Sequence, residues 1–269
     1  MGFLERDGLS FNFEEYGAGT PLIFSHGLGG NLTQMRDLIG AMEGARVILY
    51  DNRGHGRTTG VVDPAKLNFD AMADDMAAVL DTLGVESAVV GGVSMGAGIS
   101  TAFWRRHPAR VRALVLSRPA WLNQPYPENL MVLEEIARLV DELGVDTALL
   151  HVEKLEAFAA MRRNFPEAAS ALVQNLQNAK VPGAAITYRS ILSSVPFGDF
   201  SEFAGIRVPA LVLANHDDPI HPFELAERLA AGIPGSVLQE FPSKHESVTE
   251  HQEGFRLRVA QFLETLKRD

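Results

Sequence analysis

Runs of apolar and polar residues change period along this chain, and the changes divide it into elements. "LSFNFEEYG" alternates apolar and polar positions, the period-2 pattern of a half-buried strand. "PLIFSHGLGG" is a short continuous apolar run ending in glycines, which predicts a strand buried on both faces. "ARVILYD" reads the same way, and "FDAMADDMAAVLDTLG" follows as an amphipathic helix closed by Gly84. "SAVVGGV" predicts a strand, "MGAGISTAFWRRHP" a helix stopped before Pro108, and "VRALVLS" another strand. Near the end the alternation resumes with strand "PALVLANHDD", helix "FELAERLAAG", strand "GSVLQEF" and helix "TEHQEGFRLRVAQFLETLKR".

Strand–helix alternation of this kind predicts the α/β class, with a mostly parallel central sheet flanked by helices. The intervening stretch, residues 119–205, lacks strand runs and reads as helical in "PENLMVLEEIARLVDELG", "DTALLHVEKLEAFAAMRRN" and "PEAASALVQNLQNAK". It is expected to be a helical insertion over the sheet edge, a cap, with residues 1–118 and 206–269 forming the core.

Composition narrows the function classes. The 269 residues carry a formal net charge of -10, which disfavours nucleic acid and anionic membrane surfaces as partners. No cysteine is present, so disulfides, thiolate nucleophiles and cysteine-ligated zinc are excluded. The first residues lack a basic segment followed by an apolar one, Arg6 stands where a myristoylation signal wants Ser or Thr, and no apolar run spans a bilayer. A cytoplasmic protein acting on a small molecule is expected.

Ligands of open parallel sheets bind outside the carboxyl ends of the strands. Four groups of reactive residues stand there. Gly92-Val93-Ser94-Met95-Gly96 puts a serine on a strand–helix corner where flanking glycines leave room, with the positive end of a helix behind it. In "HDDPIHP", either Asp217 or Asp218 can orient a histidine, although Asp before Pro is also an ordinary turn starter. In "FPSKHESV", His245 comes last, completing the order Ser, Asp, His; its competitor His251 falls inside the closing helix. In "SHGLGG", glycines let backbone N–H groups approach a ligand, making Leu28 and Met95 the natural oxyanion donors, while His26 braces the loop.

Together, "SHGLGG", "YDNRGHGRT", "GGVSMGAG", "HPARVRALVLS", "PALVLANHDDPIHP" and "KHESV" resemble the α/β-hydrolase superfamily, in its branch of small esterases, lactonases, carbon–carbon bond hydrolases and haloperoxidase-like enzymes. The resemblance covers everything except the helical insertion. It implies Ser94 as nucleophile, His245 as base and Asp218 as acid, four residues before Pro222. It also implies Leu28 and Met95 as oxyanion donors, a structural turn at Arg53 and His55, and a structural His107. The implied activity is cofactor- and metal-free cleavage of a small carboxylic ester or lactone by acyl transfer. Carbon–carbon bond hydrolysis, lyase, perhydrolase or cofactor-free oxygenase chemistry, and a receptor role on the same scaffold remain as alternatives.

Three positions depart from the pattern. Asn215 and Lys244 stand where the family usually has glycine, and Arg118 stands where some branches place their acid. A cation at Lys244 would lower the basicity of His245 if it points inward. Arg118 and Trp121, where the insertion leaves the sheet, are the candidate substrate contacts. Arg118 suits a substrate carboxylate, although a salt bridge to the protein's own carboxylates is the commoner fate of such a residue.

Overall fold

The computed structural model describes residues 2–178, 184–244 and 246–267. Among them nine strands form one sheet: β1 (Gly2–Arg6), β2 (Leu9–Gly17), β3 (Thr20–Ser25), β4 (Ala45–Tyr50), β5 (Thr59–Gly60), β6 (Ala88–Val93), β7 (Val111–Ser117), β8 (Ala210–Ala214) and β9 (Val237–Glu240). The order is β1-β2-β4-β3-β6-β7-β8-β9, with the two-residue β5 on β2. Every pairing from β4 to β9 is parallel, and β2 runs antiparallel to its neighbours.

The apolar runs fill the centre of this sheet. Every residue of β6 and β8 is buried, because helices cover both faces. Period-2 alternation sends Val90, Leu114 and Val212 to one face. There they meet α2 (Phe69–Thr82), α3 (Met95–Arg106) and α9 (Phe223–Gly232). Val89, Val115 and Leu211 face the other way, onto α1 (Leu32–Ile39) and α10 (Val248–Thr265).

Two elements of the core carry signals that the periodicity reading above does not use. β1 and β2 are joined through Asp7-Gly8, both at positive φ (54° and 74°), the Asp-Gly hairpin turn that matches strand twist. α1 begins at Asn31, whose side chain accepts the Gln34 N–H as an N-cap, and buries Leu32, Met35, Leu38 and Ile39.

The described residues between β7 and β8 form five α-helices: α4 (Met131–Leu143), α5 (Val145–His151), α6 (Glu156–Asn164), α7 (Pro166–Asn178) and α8 (Ala184–Leu192). The run "DTALLHVEKLEAFAAMRRN" is two helices, not one. A 3-10 turn at Val152–Lys154 and an extended Leu155 break it. Ala148, Val152, Phe158 and Met161 are all buried. With the half-buried Leu155 between them the positions 148, 152, 155, 158 and 161 step by four or three throughout, as on one helix, so periodicity cannot show the break. No helix among the described residues is long and apolar enough to cross a membrane.

Candidate active site

The corner between β6 and α3 is the most constrained backbone of the site. Ser94 sits at φ 58°, ψ −115°, a left-handed conformation that costs a non-glycine residue on the order of 1–3 kcal/mol. Its N–H donates to the Ser117 carbonyl at the end of β7 (3.0 Å), and its own carbonyl accepts from Ala97 (3.0 Å). The strain is therefore held by the sheet on one side and the helix on the other. Serine is a favoured N-cap, yet the Ser94 side chain makes no capping bond. Its hydroxyl instead faces a cavity of about 520 Å³.

Glycines make this corner possible by close backbone approach. A Cβ on Gly92 would lie 2.3 Å from the Gly96 backbone, and one on Gly96 would lie 2.1 Å from the Ser25 carbonyl oxygen. A Cβ on Gly27 would come within 3.3 Å of the Ser94 Cβ. The loop after β3 thus lies against the serine, and Leu28 lines the same cavity. Met95, the first residue of α3, belongs to the turn whose N–H groups have no partner within the helix.

Histidine and polar residues behind that loop hold it still. The Nε2 of His26 accepts the Asn52 N–H (3.0 Å), which leaves Nδ1–H to donate to the Gly27 carbonyl (2.8 Å). His55 donates its Nδ1–H to the Arg53 carbonyl (2.9 Å), and the Arg53 guanidinium is paired with Asp75 (2.6 Å) where both are buried. His107 bonds Asp74 at 2.9 Å, at the end of α3.

The turn after β8 separates the two acids left open by the spacing. Asp217 is exposed, at φ 59°, outside the cavity that holds Ser94, whereas Asp218 is buried and lines it. Asp218 Oδ1 accepts the N–H groups of Ile220 and His221, both at 3.2 Å. Its Oδ2 accepts Arg118 Nε at 3.0 Å and also Nη2. Burial alone would raise the Asp218 proton affinity. The charge of Arg118, the hydrogen bond from His221 and the charge of Lys244 overcome that and hold the carboxyl well below its usual range.

Arg118 is therefore engaged by a carboxylate of the protein itself, and the ordinary alternative for this residue is what the structure contains. It stands at φ 47° immediately after β7, with its N–H on the Leu213 carbonyl (2.6 Å). Trp121 is buried in the cavity wall, edge-on to Phe69 at 5.7 Å between ring centroids. Lys244 also lines the cavity, and burial followed by the Arg118 charge pulls its ammonium down to about 8. His245 lies outside the described residues.

Two further histidines line this cavity. His251 is within α10 and bonds the Pro242 carbonyl through Nδ1 (2.8 Å). His221, three residues past Asp218, has Nδ1 at 2.9 Å from Asp218 Oδ2 and 3.0 Å from Arg118 Nη2. A bare Nδ1 would set its lone pair against an anionic oxygen at 2.9 Å, so we assign the His221 proton to Nδ1, which donates to Asp218 Oδ2 and leaves Nε2 as an acceptor. The sequence reading passed over His221 within "HDDPIHP". Its i,i+3 spacing from Asp218 was the available signal.

Burial pushes four of these imidazoles toward the neutral form. His221 falls to about 4, His55 and His251 to about 3, and His26 below its ordinary value, desolvation being the main cause in each case. An unfolded chain would titrate them near ~6.5. Between that value and the folded ones the unfolded state holds more protons, so stability falls as the pH falls through this window. The expected slope reaches about 1.4 kcal/mol per pH unit for each histidine. Urea unfolding at pH 7.5, 6.0 and 5.0 measures it. A flat stability from pH 7.5 to 5.0 would show that water reaches these rings.

An open, mostly parallel sheet whose strand–helix corner presents a serine to a cavity at the strand ends is the layout of an α/β hydrolase. A family model described as the alpha/beta hydrolase fold matches residues 20–252, and the chain belongs to that family. The AB hydrolase superfamily protein YisY of Bacillus subtilis is 32% identical over 264 residues, covering 93% of each chain. The 2-hydroxymuconate semialdehyde hydrolase of a Pseudomonas strain is 30% identical, over 95% of this chain and 91% of its own. Among solved structures, the enol-lactonase of Burkholderia xenovorans shares the fold with a TM-score of 0.76 at 23% identity, covering 97% of this chain and 99% of that one.

Proposed function

We propose that the protein is a serine hydrolase that cleaves a small carboxylic ester or lactone by two-step acyl transfer. The observation that carries this reading is the strained, uncapped Ser94, whose hydroxyl opens into the cavity that Asp218 also lines. In the proposed mechanism His245 takes the Ser94 proton as Oγ attacks the carbonyl, and Asp218 stabilises the imidazolium that forms. Lys244 and Val248, on either side of position 245 in sequence, both line the cavity, which supports this assignment. The N–H groups of Leu28 and Met95 receive the oxyanion, each contributing on the order of 3 kcal/mol. The imidazolium protonates the leaving alkoxide. Water activated by His245 then releases the acid and frees Ser94. The pull of Arg118 on Asp218 weakens that carboxylate as an imidazolium partner, so His245 is expected to act as a base down to lower pH than in an unpaired triad.

The helical segment, residues 119–205, acts as the cap. It supports substrate selection, because Trp121, Leu133, Ala168, Leu172 and Tyr188 all contribute to the cavity wall. Trp121 is assigned to the acyl pocket and the reaction to the cytoplasm. A second reading, hydrolysis of a carbon–carbon bond, is favoured by the 30% identity to 2-hydroxymuconate semialdehyde hydrolase. It uses the same serine.

Mixing the protein with an activated phenyl ester should release a burst of one equivalent of phenol per chain before the steady state. Linear release from the first turnover, at every pH from 6 to 9, would remove the covalent acyl-enzyme and the reading with it.

A further inference from the structure

We propose that Nε2 of His221 and the indole N–H of Trp121 form a subsite for a hydroxyl group on the acyl part of the substrate, so that the preferred substrate is a hydroxylated ester or lactone. The proposal rests on the acyl-transfer reading for the position of the reacting carbonyl, and on three local observations for the hydroxyl.

The first is an acceptor with nothing to accept. His221 Nδ1–H donates to Asp218 Oδ2 at 2.9 Å, which fixes the ring and leaves a lone pair on Nε2. That atom is buried and has no hydrogen-bond partner among the described residues, on a side chain 10% exposed that lines the cavity. Burial pulls the ring down to about 4, so the lone pair stays free of a proton near neutral pH.

The second is a donor with nothing to donate to. Trp121 is 2% exposed and lines the same cavity, and its Nε1–H also has no partner among the described residues. An indole nitrogen can only donate. Buried polar groups are nearly always hydrogen-bonded, so two orphans of opposite sense on one cavity call for a ligand that completes both.

The third is the nearness of the two residues. Asn129 Nδ2 donates to the Ala120 carbonyl (3.2 Å) and to the Ile220 carbonyl (2.7 Å). One side-chain amide thus ties together the peptides that lead into Trp121 and His221, and acceptor and donor belong to adjoining stretches of wall. A hydroxyl donates to the first and accepts from the second through a single oxygen. A carboxylate has no proton for Nε2. An ammonium has no lone pair for the indole, and the charges of Arg118 and Lys244, both felt at the His221 ring, repel it.

Titration calorimetry with Ser94→Ala protein, which binds without turnover, provides the test. The probes are methyl hexanoate and its four derivatives with a hydroxyl at carbon 3, 4, 5 or 6. The ratio of affinities within each protein is the readout, so that any general loss of folding cancels. At least one hydroxy isomer should bind about tenfold more tightly than methyl hexanoate, or better, as two buried polar atoms gain their partners. Its methoxy counterpart, which accepts but cannot donate, should lose most of that gain. His221→Asn keeps an N–H for Asp218 but puts no acceptor in the place of Nε2, and should bring the ratio within about twofold of unity. Trp121→Phe keeps an aromatic ring without the donor, and should lower the ratio about threefold or more. Three results would each overturn the subsite: equal binding of all five esters, as when water fills it; a methoxy probe that binds as well as the hydroxy one; or a preference that survives either substitution. The acyl-transfer reading fails separately. A wild-type enzyme that hydrolyses all five esters without preference retains acyl transfer and loses the subsite. A His221-dependent preference in binding, without turnover of any ester, does the reverse.

Discussion

Replacing Ser94 with alanine should lower kcat on any ester by about 10⁴- to 10⁶-fold, because nucleophile and base act as a unit and little survives the loss of either. The burst of phenol should vanish with it. Stability should barely change, which is the more specific part of the expectation. Removing a serine N-cap ordinarily costs about 1 kcal/mol, but the Ser94 hydroxyl caps nothing. Urea unfolding should therefore find Ser94→Ala within about 0.5 kcal/mol of wild type. Ser94→Gly should be more stable still, because glycine adopts φ 58° without strain. Retention of more than a tenth of the wild-type rate would sink the nucleophile assignment. A stability loss near 1 kcal/mol in the alanine variant would show that the hydroxyl caps α3 after all.

Arg118→Met should cost about 3–5 kcal/mol of stability at pH 7, the range for removing one partner of a buried ion pair. The carboxylate of Asp218 would keep its two backbone N–H bonds but lose the guanidinium that offsets its burial. Its proton affinity should then rise, because burial becomes the dominant effect. Asp218→Asn in the same background removes the stranded charge, so the double variant should recover much of the loss. That non-additivity is the signature of direct pairing. A cost below about 1 kcal/mol would indicate that solvent screens the pair as it does at a surface. Activity need not follow stability here, since freeing Asp218 would strengthen it as a partner for the imidazolium of the base.

Much of the fold was legible because the buried strands have nothing to do but be apolar. β6 and β8 read as continuous hydrophobic runs since helices cover both of their faces. The elements that escaped were those whose signals are not periodic. The Asp7-Gly8 turn marked β1, and Asn31 marked the start of α1, but neither is a run of apolar residues. In the helical segment, the break at Val152–Lys154 was invisible because the buried residues on both sides keep a helical spacing.

Sequence by itself determined which chemistry was available on which corner: a serine among glycines after β6, two acids after β8, and a donor-rich glycine loop after β3. Those follow from short-range rules, since strand ends, helix starts and glycine positions are written within a few residues of each other. Tertiary structure decided what the charged groups around them do. Whether Arg118 meets a ligand or Asp218, 100 residues away, depends on β7 and β8 lying side by side. That Asp217 faces solvent and Asp218 the cavity depends on a single turn at positive φ. Lys244 and His221 acquire their surroundings only as walls of one cavity, because the cost of a buried polar atom is set by what surrounds it and not by its place in the chain.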